Sequence, residues 1–181
     1  MKSTATRYGT VAVTIHWLSA IFILALIGSG FRAGSLVDSA AKASILTLHV
    51  PLGIIILLLT LIRLAWWVFA DKKPPHVEGD PAWQTLSAKA VHVLFYIVIL
   101  GMAASGIGMM VLSGAGSVLF GGADVPLPDF GDFLPRVPHG IGARLMIVLL
   151  VLHVVAALYH HFIKKDGLLW RMWYSNNRNP G

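Results

Sequence analysis

Residues 139–163 read HGIGARLMIVLLVLHVVAALYHHFI, and this stretch decides the fold class. From Leu145 to Ile163 it runs 19 residues without a charge, ending at Lys164. A helix of about 20 apolar residues spans a bilayer core of about 30 Å. Three further charge-free runs stand beside it: Val11 to Phe31 (21 residues), Ala43 to Ile62 (20) and Ala90 to Ala123 (34). The last is too long for one span. Gly114, Gly116, Gly121, Gly122, Pro126 and Pro128 break its second half into a loop that reaches Pro138. The reading is an all-α membrane protein, a bundle of four transmembrane helices at about 11–31, 44–69, 86–113 and 139–163, forming one domain over 1–181. Loop 114–138 contains Phe120, Phe130 and Phe133 and is expected to fold as a partial cap.

Composition supports this. Of 181 residues, 56% are apolar and 12% charged, and the mean hydropathy is +0.75. Soluble domains carry about 25% charge. So apolar a chain is not a disordered one. Cysteine is absent, which excludes disulfides, thiolate-ligated metals and a thiol nucleophile. Lys2 and Arg7 resemble the start of a signal peptide, but the run after them exceeds the usual length of about 7–15 residues, so the first helix is expected to be retained.

The net charge of +6 reports topology, not a nucleic-acid partner. With four helices both termini share a side. That side holds ten Lys and Arg: Lys2, Arg7, Arg63, Lys72, Lys73, Lys89, Lys164, Lys165, Arg171 and Arg178. The other holds four: Arg32, Lys42, Arg136 and Arg144. The positive-inside rule places both termini in the cytoplasm. Trp66, Trp67, Trp170 and Trp173 fall near cytoplasmic helix ends, as an interfacial belt would. Asp124, Asp129 and Asp132 face outward in the long loop.

Eight histidines carry the functional information. His76 is placed in a loop; His16, His49, His92, His139, His153, His160 and His161 lie in or beside spans. Polar side chains in hydrocarbon are costly and face the bundle interior. His139 and His153 are 14 residues apart. That is nearly four turns, so they share a face about 21 Å apart in depth. His49, near the outer start of the second helix, can meet His139. His16, inside the cytoplasmic start of the first, can meet His153. Two bis-imidazole sites at two depths are the expected ligands of two b-type haems, one outer and one inner. A single zinc site would need its ligands at one level. Gly53 after His49, Gly140, Gly142 and Ala143 after His139, and the small residues of 101–108 allow either room for a macrocycle or close helix packing.

The segments TIHWL (14–18), LHVPLGIIILLLTLIRL (48–64), AVHVLFYIVI (90–99) and LHVVAALYHHFIKKDGLLWRM (152–172) resemble the prokaryotic cytochrome b561 family over nearly the whole chain. The resemblance implies the same ligand pairs for the haem irons, His16 with His153 and His49 with His139. The tail of the last segment is similar to the superoxide-oxidising branch of the family. It implies oxidation of superoxide to oxygen at the outer face and passage of electrons through two haems to ubiquinone, in a bacterial inner membrane. The alternative is an electron-transfer subunit exchanging electrons between the quinone pool and a protein redox partner. Arg63 and Arg144 are candidates to hold haem propionates. His160, seven residues past His153 on about the same face and further toward the cytoplasm, and Lys165 are candidates for binding or protonating quinone, with Asp166, His92 and Tyr96 also available. Arg32, Lys42, Arg136 and Arg144 are the cations available to attract superoxide.

Overall fold

The computed structural model describes residues 2–75 and 81–174; His76 and Arg178 lie outside them. Its five α-helices are α1 (Thr10–Ser35), α2 (Ser39–Ala65), α3 (Ala82–Ser113), α4 (Ala115–Phe120) and α5 (Arg136–Tyr159). Two of them continue into π-helical turns, α2 through Trp66–Ala70 and α5 through His160–Lys164. Four of the resulting helical stretches are long and apolar enough to cross a membrane: Thr10–Ser35, Ser39–Ala70, Ala82–Ser113 and Arg136–Lys164. Three of them exceed the charge-free run that announces them, whereas Ala82–Ser113 starts before its run and ends ten residues short of the run's end. A charge does not end a helix; capping groups do. Asp38 accepts from Ala41 N–H at 2.9 Å and starts α2. Pro81 precedes α3, and Gly114, left-handed at φ 66°, ends it.

α1 packs chiefly against α2, and α3 against α5. The bundle is thus two helix pairs, α1/α2 and α3/α5. Its best-buried cluster is Val98, Met146 and Leu149, with Ile23, Ile27, Phe95, Ile99 and Met102 around it. Few large side chains are fully enclosed, while Leu24, Ile97, Val151 and many like them are more than half exposed. That distribution fits a lipid surround, where helices associate through close packing and small residues. Gly142 illustrates it, since a Cβ there would come within 2.7 Å of Met102 Cγ. Gly108 likewise seats Pro135, at 3.2 Å. Gly53 is different: a Cβ there would meet nothing within 4 Å. The small residues therefore divide between helix packing and open space.

The two ends of the bundle are built differently. At the end carrying the α1–α2 and α3–α5 connections, the loop end, α4 packs on α2 and α3. Leu127 N–H donates to Ser39 Oγ at 3.0 Å, and Asp129 caps a 3-10 turn through Gly131 N–H. Loop 114–138 is thus the partial cap the sequence implies. At the opposite, terminal end residues 3–8 come together with Asp71 and Pro75 after α2 and with Arg171 after α5. The Asp71 carboxylate accepts from Ser3 N–H and Oγ–H and from Trp66 Nε1–H. Arg171 donates to the carbonyls of Ala5, Thr6 and Pro75. Burial raises the Asp71 pKa, but these hydrogen bonds outweigh it and hold the carboxyl below its ordinary value.

Candidate functional site: two pairs of facing imidazoles

The four interior histidines come together in the pairs the depth argument expects. At the loop end His49 of α2 faces His139 of α5, ring centres 6.4 Å apart and planes at 63°. At the terminal end His16 of α1 faces His153 of α5, at 6.1 Å and 57°. All four are half-buried. Among the described residues no group of three His, Asp or Glu side chains gathers as a set able to hold a metal ion.

The loop-end rings are held by hydrogen bonds. His139 Nδ1 lies 3.1 Å from the Met102 carbonyl and 3.1 Å from Ser105 Oγ. A carbonyl only accepts, so Nδ1 carries the proton and Nε2 offers its lone pair. His49 Nδ1 lies 2.9 Å from Ser29 Oγ. That hydroxyl donates to Ala25 O at 2.7 Å, so it accepts from His49 and imposes the same tautomer. Ser29 has no signal in the sequence, and Ser105 reads there only as one small residue among several. Their contacts cross between helices, and no spacing within one helix reveals them.

The terminal-end rings are held by packing. Among the described residues neither ring nitrogen of His16 or His153 has a hydrogen bond. Trp17 stacks edge-on to His16 at 5.3 Å, and Phe95 to His153 at 5.6 Å. His92 is a third imidazole here, 5.6 Å from His153, with Nδ1 bound to Ala88 O at 2.6 Å. Arg63 bears electrostatically on His16, His92 and His153. Its Nε and the Trp67 Nε1 are buried with no hydrogen-bond partner among the described residues. Arg144, the other arginine singled out, is exposed and donates to Gly140 O at 3.0 Å. It lies five residues past His139, a rotation of about 140° around α5.

Beyond the terminal pair lies a second polar group. His160 Nδ1 contacts Asp166 Oδ2 at 2.5 Å, and Asp166 Oδ1 accepts from Leu168 N–H at 3.0 Å. Lys164 Nζ donates to Gln84 Oε1 at 3.0 Å and sits 4.0 Å from Asp166. Burial raises the Asp166 pKa, but the bonds from His160 and Leu168 outweigh it and keep the carboxyl below its ordinary range. Lys165 is exposed, at the left-handed φ of 54°. His161 packs against Phe162 and Trp170.

The geometry fits an iron macrocycle. A metal–imidazole bond of about 2 Å on each side of a central ion, with about 1 Å from nitrogen to ring centre, sets ring centres about 6 Å apart. Both pairs meet that spacing. The orphaned Arg63 Nε–H, close to the terminal pair, suits a carboxylate of a haem.

Comparison with known proteins points the same way. The family model described as prokaryotic cytochrome b561 matches residues 7–175. Among curated relatives, Cytochrome b561 homolog 2 of Escherichia coli K12 is 32% identical, the match covering 99% of this chain and 97% of the relative. Cytochrome b561 homolog 1 of the same organism is 28% identical over 92% and 96%. A Yersinia pestis protein named Probable superoxide oxidase CybB is 25% identical over 92% and 95%.

Proposed function

The chain belongs to the prokaryotic cytochrome b561 family, a membrane electron-transfer family whose members carry b-type haem, and on that premise we propose that it is a di-haem superoxide:ubiquinone oxidoreductase. The observation that carries the di-haem reading is the presence of two imidazole pairs, at 6.1 and 6.4 Å, at opposite ends of one bundle. His49 and His139 would hold an outer haem, and His16 and His153 an inner one. When bound, each haem supplies a ferric–ferrous couple that takes and gives one electron. Held between two imidazoles, each haem would supply electron transfer and not oxygen binding.

In this reading the terminal end faces the cytoplasm of a bacterial inner membrane, which ten Lys and Arg against four support. Arg63 holds a propionate of the inner haem. Its buried Nε makes it a better-placed candidate than Arg144, whose Nη1 is bound to its own helix. At the outer face Arg32, Lys42, Arg136 and Arg144 attract the superoxide anion. Two superoxide ions lose one electron each and leave as oxygen; ubiquinone takes both electrons and two protons. The quinone site lies beside the α5 end, where His160 delivers a proton from Nε2. Asp166 binds Nδ1–H and stabilises the charged ring, and Lys165 stands at the surface as a further cation. The name of the Yersinia relative supports superoxide as donor.

A second reading keeps the same two haems but exchanges electrons between quinone and a protein partner. It is favoured by the more similar relatives described above, whose names specify only cytochrome b561. One experiment separates the two. Detergent-purified protein receives enzymatically generated superoxide, then a short-chain ubiquinone. Fast appearance of reduced-haem bands, then their loss as quinol forms, supports the first reading. Bands that ignore superoxide but respond to dithionite and quinol support the second.

A further inference from the structure

The two loop-end imidazoles stand on different helices, α2 and α5, yet rest in matching seats. Each seat is a Ser–Gly pair on the neighbouring helix: Ser29–Gly30 on α1 beneath His49, and Ser105–Gly106 on α3 beneath His139. In both, the serine hydroxyl turns its proton back to its own helix, Ser29 to Ala25 O at 2.7 Å and Ser105 to Met102 O at 3.0 Å. Its oxygen is thereby left to accept from the ring, at 2.9 Å for His49 and 3.1 Å for His139. In both, the next residue lacks a side chain where the ring's Cε1 comes closest. A Cβ would lie 3.1 Å from Cε1 of His49 at Gly30, and 3.5 Å from Cε1 of His139 at Gly106.

We propose that Ser29–Gly30 and Ser105–Gly106 are positioning residues that grip His49 and His139 through Nδ1, reserve Nε2 for iron, and set the affinity and reduction potential of the haem bound between them. The proposal rests on the di-haem reading above. Donation of Nδ1–H to an oxygen makes the imidazole more basic, which favours ferric iron and lowers the potential. The seats are matched in plan but unequal in strictness. His139 retains the Met102 carbonyl if Ser105 is lost, whereas His49 has Ser29 alone among the described residues. A Cβ at Gly30 forces its ring to move; one at Gly106 makes ordinary contact. The α1 seat is therefore the sensitive one.

The test uses haem-loaded full-length protein, with haem per chain and a redox titration as readouts, and the terminal-end haem as internal reference. Ser29→Ala raises the loop-end potential by up to about tenfold in the oxidised-to-reduced equilibrium, about 59 mV for one electron, and weakens haem retention about tenfold. Ser29→Thr restores both. Ser105→Ala shifts the same component less, Gly30→Ala loses more loop-end haem than Gly106→Ala, and the terminal-end component stays in place throughout. The proposal is overturned if Ser29→Ala leaves both components at wild-type positions, if it moves both equally, or if Gly30→Ala keeps full loop-end occupancy. A wild-type protein without a loop-end haem instead overturns the di-haem reading itself.

Discussion

The two ends of this bundle solve the same problem by different means. At the loop end each imidazole is fixed through Nδ1 by a serine from the neighbouring helix, and His139 by a backbone carbonyl as well. At the terminal end His16 and His153 lie among rings, with the half-buried Arg63 nearby. A hydrogen-bonded ring has its tautomer and orientation set before any ligand arrives. A ring held by packing has its position restricted, but its nitrogens await a partner. The contrast suits the proposed roles: a haem facing solvent-borne superoxide has a rigid support, while one beside quinone has cations and a proton donor within reach.

The largest expected effect tests whether the ends are independent. His153→Ala should lose one haem of two and leave the loop-end component; His139→Ala should do the converse, read as haem per chain and by spectrum. Retention of two haems in either variant breaks the pairing. Next comes the His160–Asp166 contact. Asp166→Asn should slow quinone reduction by about 10²-fold, the lower range for loss of an acid–base group, with haem content unchanged. The same variant has a pH signature. The Asp166 carboxyl titrates below its ordinary 3.8 in the folded chain. Its contribution to stability is therefore complete above that pH and is lost as pH falls through the lower folded value. Thermal unfolding of wild type and variant should differ at neutral pH and converge in strong acid.

Smaller effects sharpen the comparison further. Arg63→Gln should weaken terminal-end haem retention about tenfold and leave the loop end unaltered, measured by haem loss to an apoprotein acceptor. A loss shared by both ends would remove Arg63 from its assigned place. Smallest is Lys165→Gly. It relieves a left-handed residue and should stabilise the fold by about 1 kcal/mol in thermal unfolding. Unchanged quinone reduction in that variant would exclude Lys165 from the quinone site.

Much of this architecture is legible in the sequence. Four charge-free runs mark the spans because lipid tolerates little else, and the 14-residue spacing of His139 and His153 places two imidazoles on one face at two depths. What escapes a linear reading is contact between helices. The start of α2 overruns its apolar run, because the Asp38 cap sets it and charge does not, whereas Gly114, already visible in the sequence, ends α3 inside its run. Ser29 and Gly30 look like ordinary small residues until α2 lies against α1. The π-helical turns at Trp66–Ala70 and His160–Lys164 have no mark in the apolar pattern either.

The most direct test of the central claim is a haem assay joined to a redox titration of the purified wild-type chain. Two b-type haems per chain, both low-spin with bis-imidazole spectra and titrating as two one-electron components, are the predicted result. A single haem per chain, or a high-spin iron with an open axial position, would contradict it.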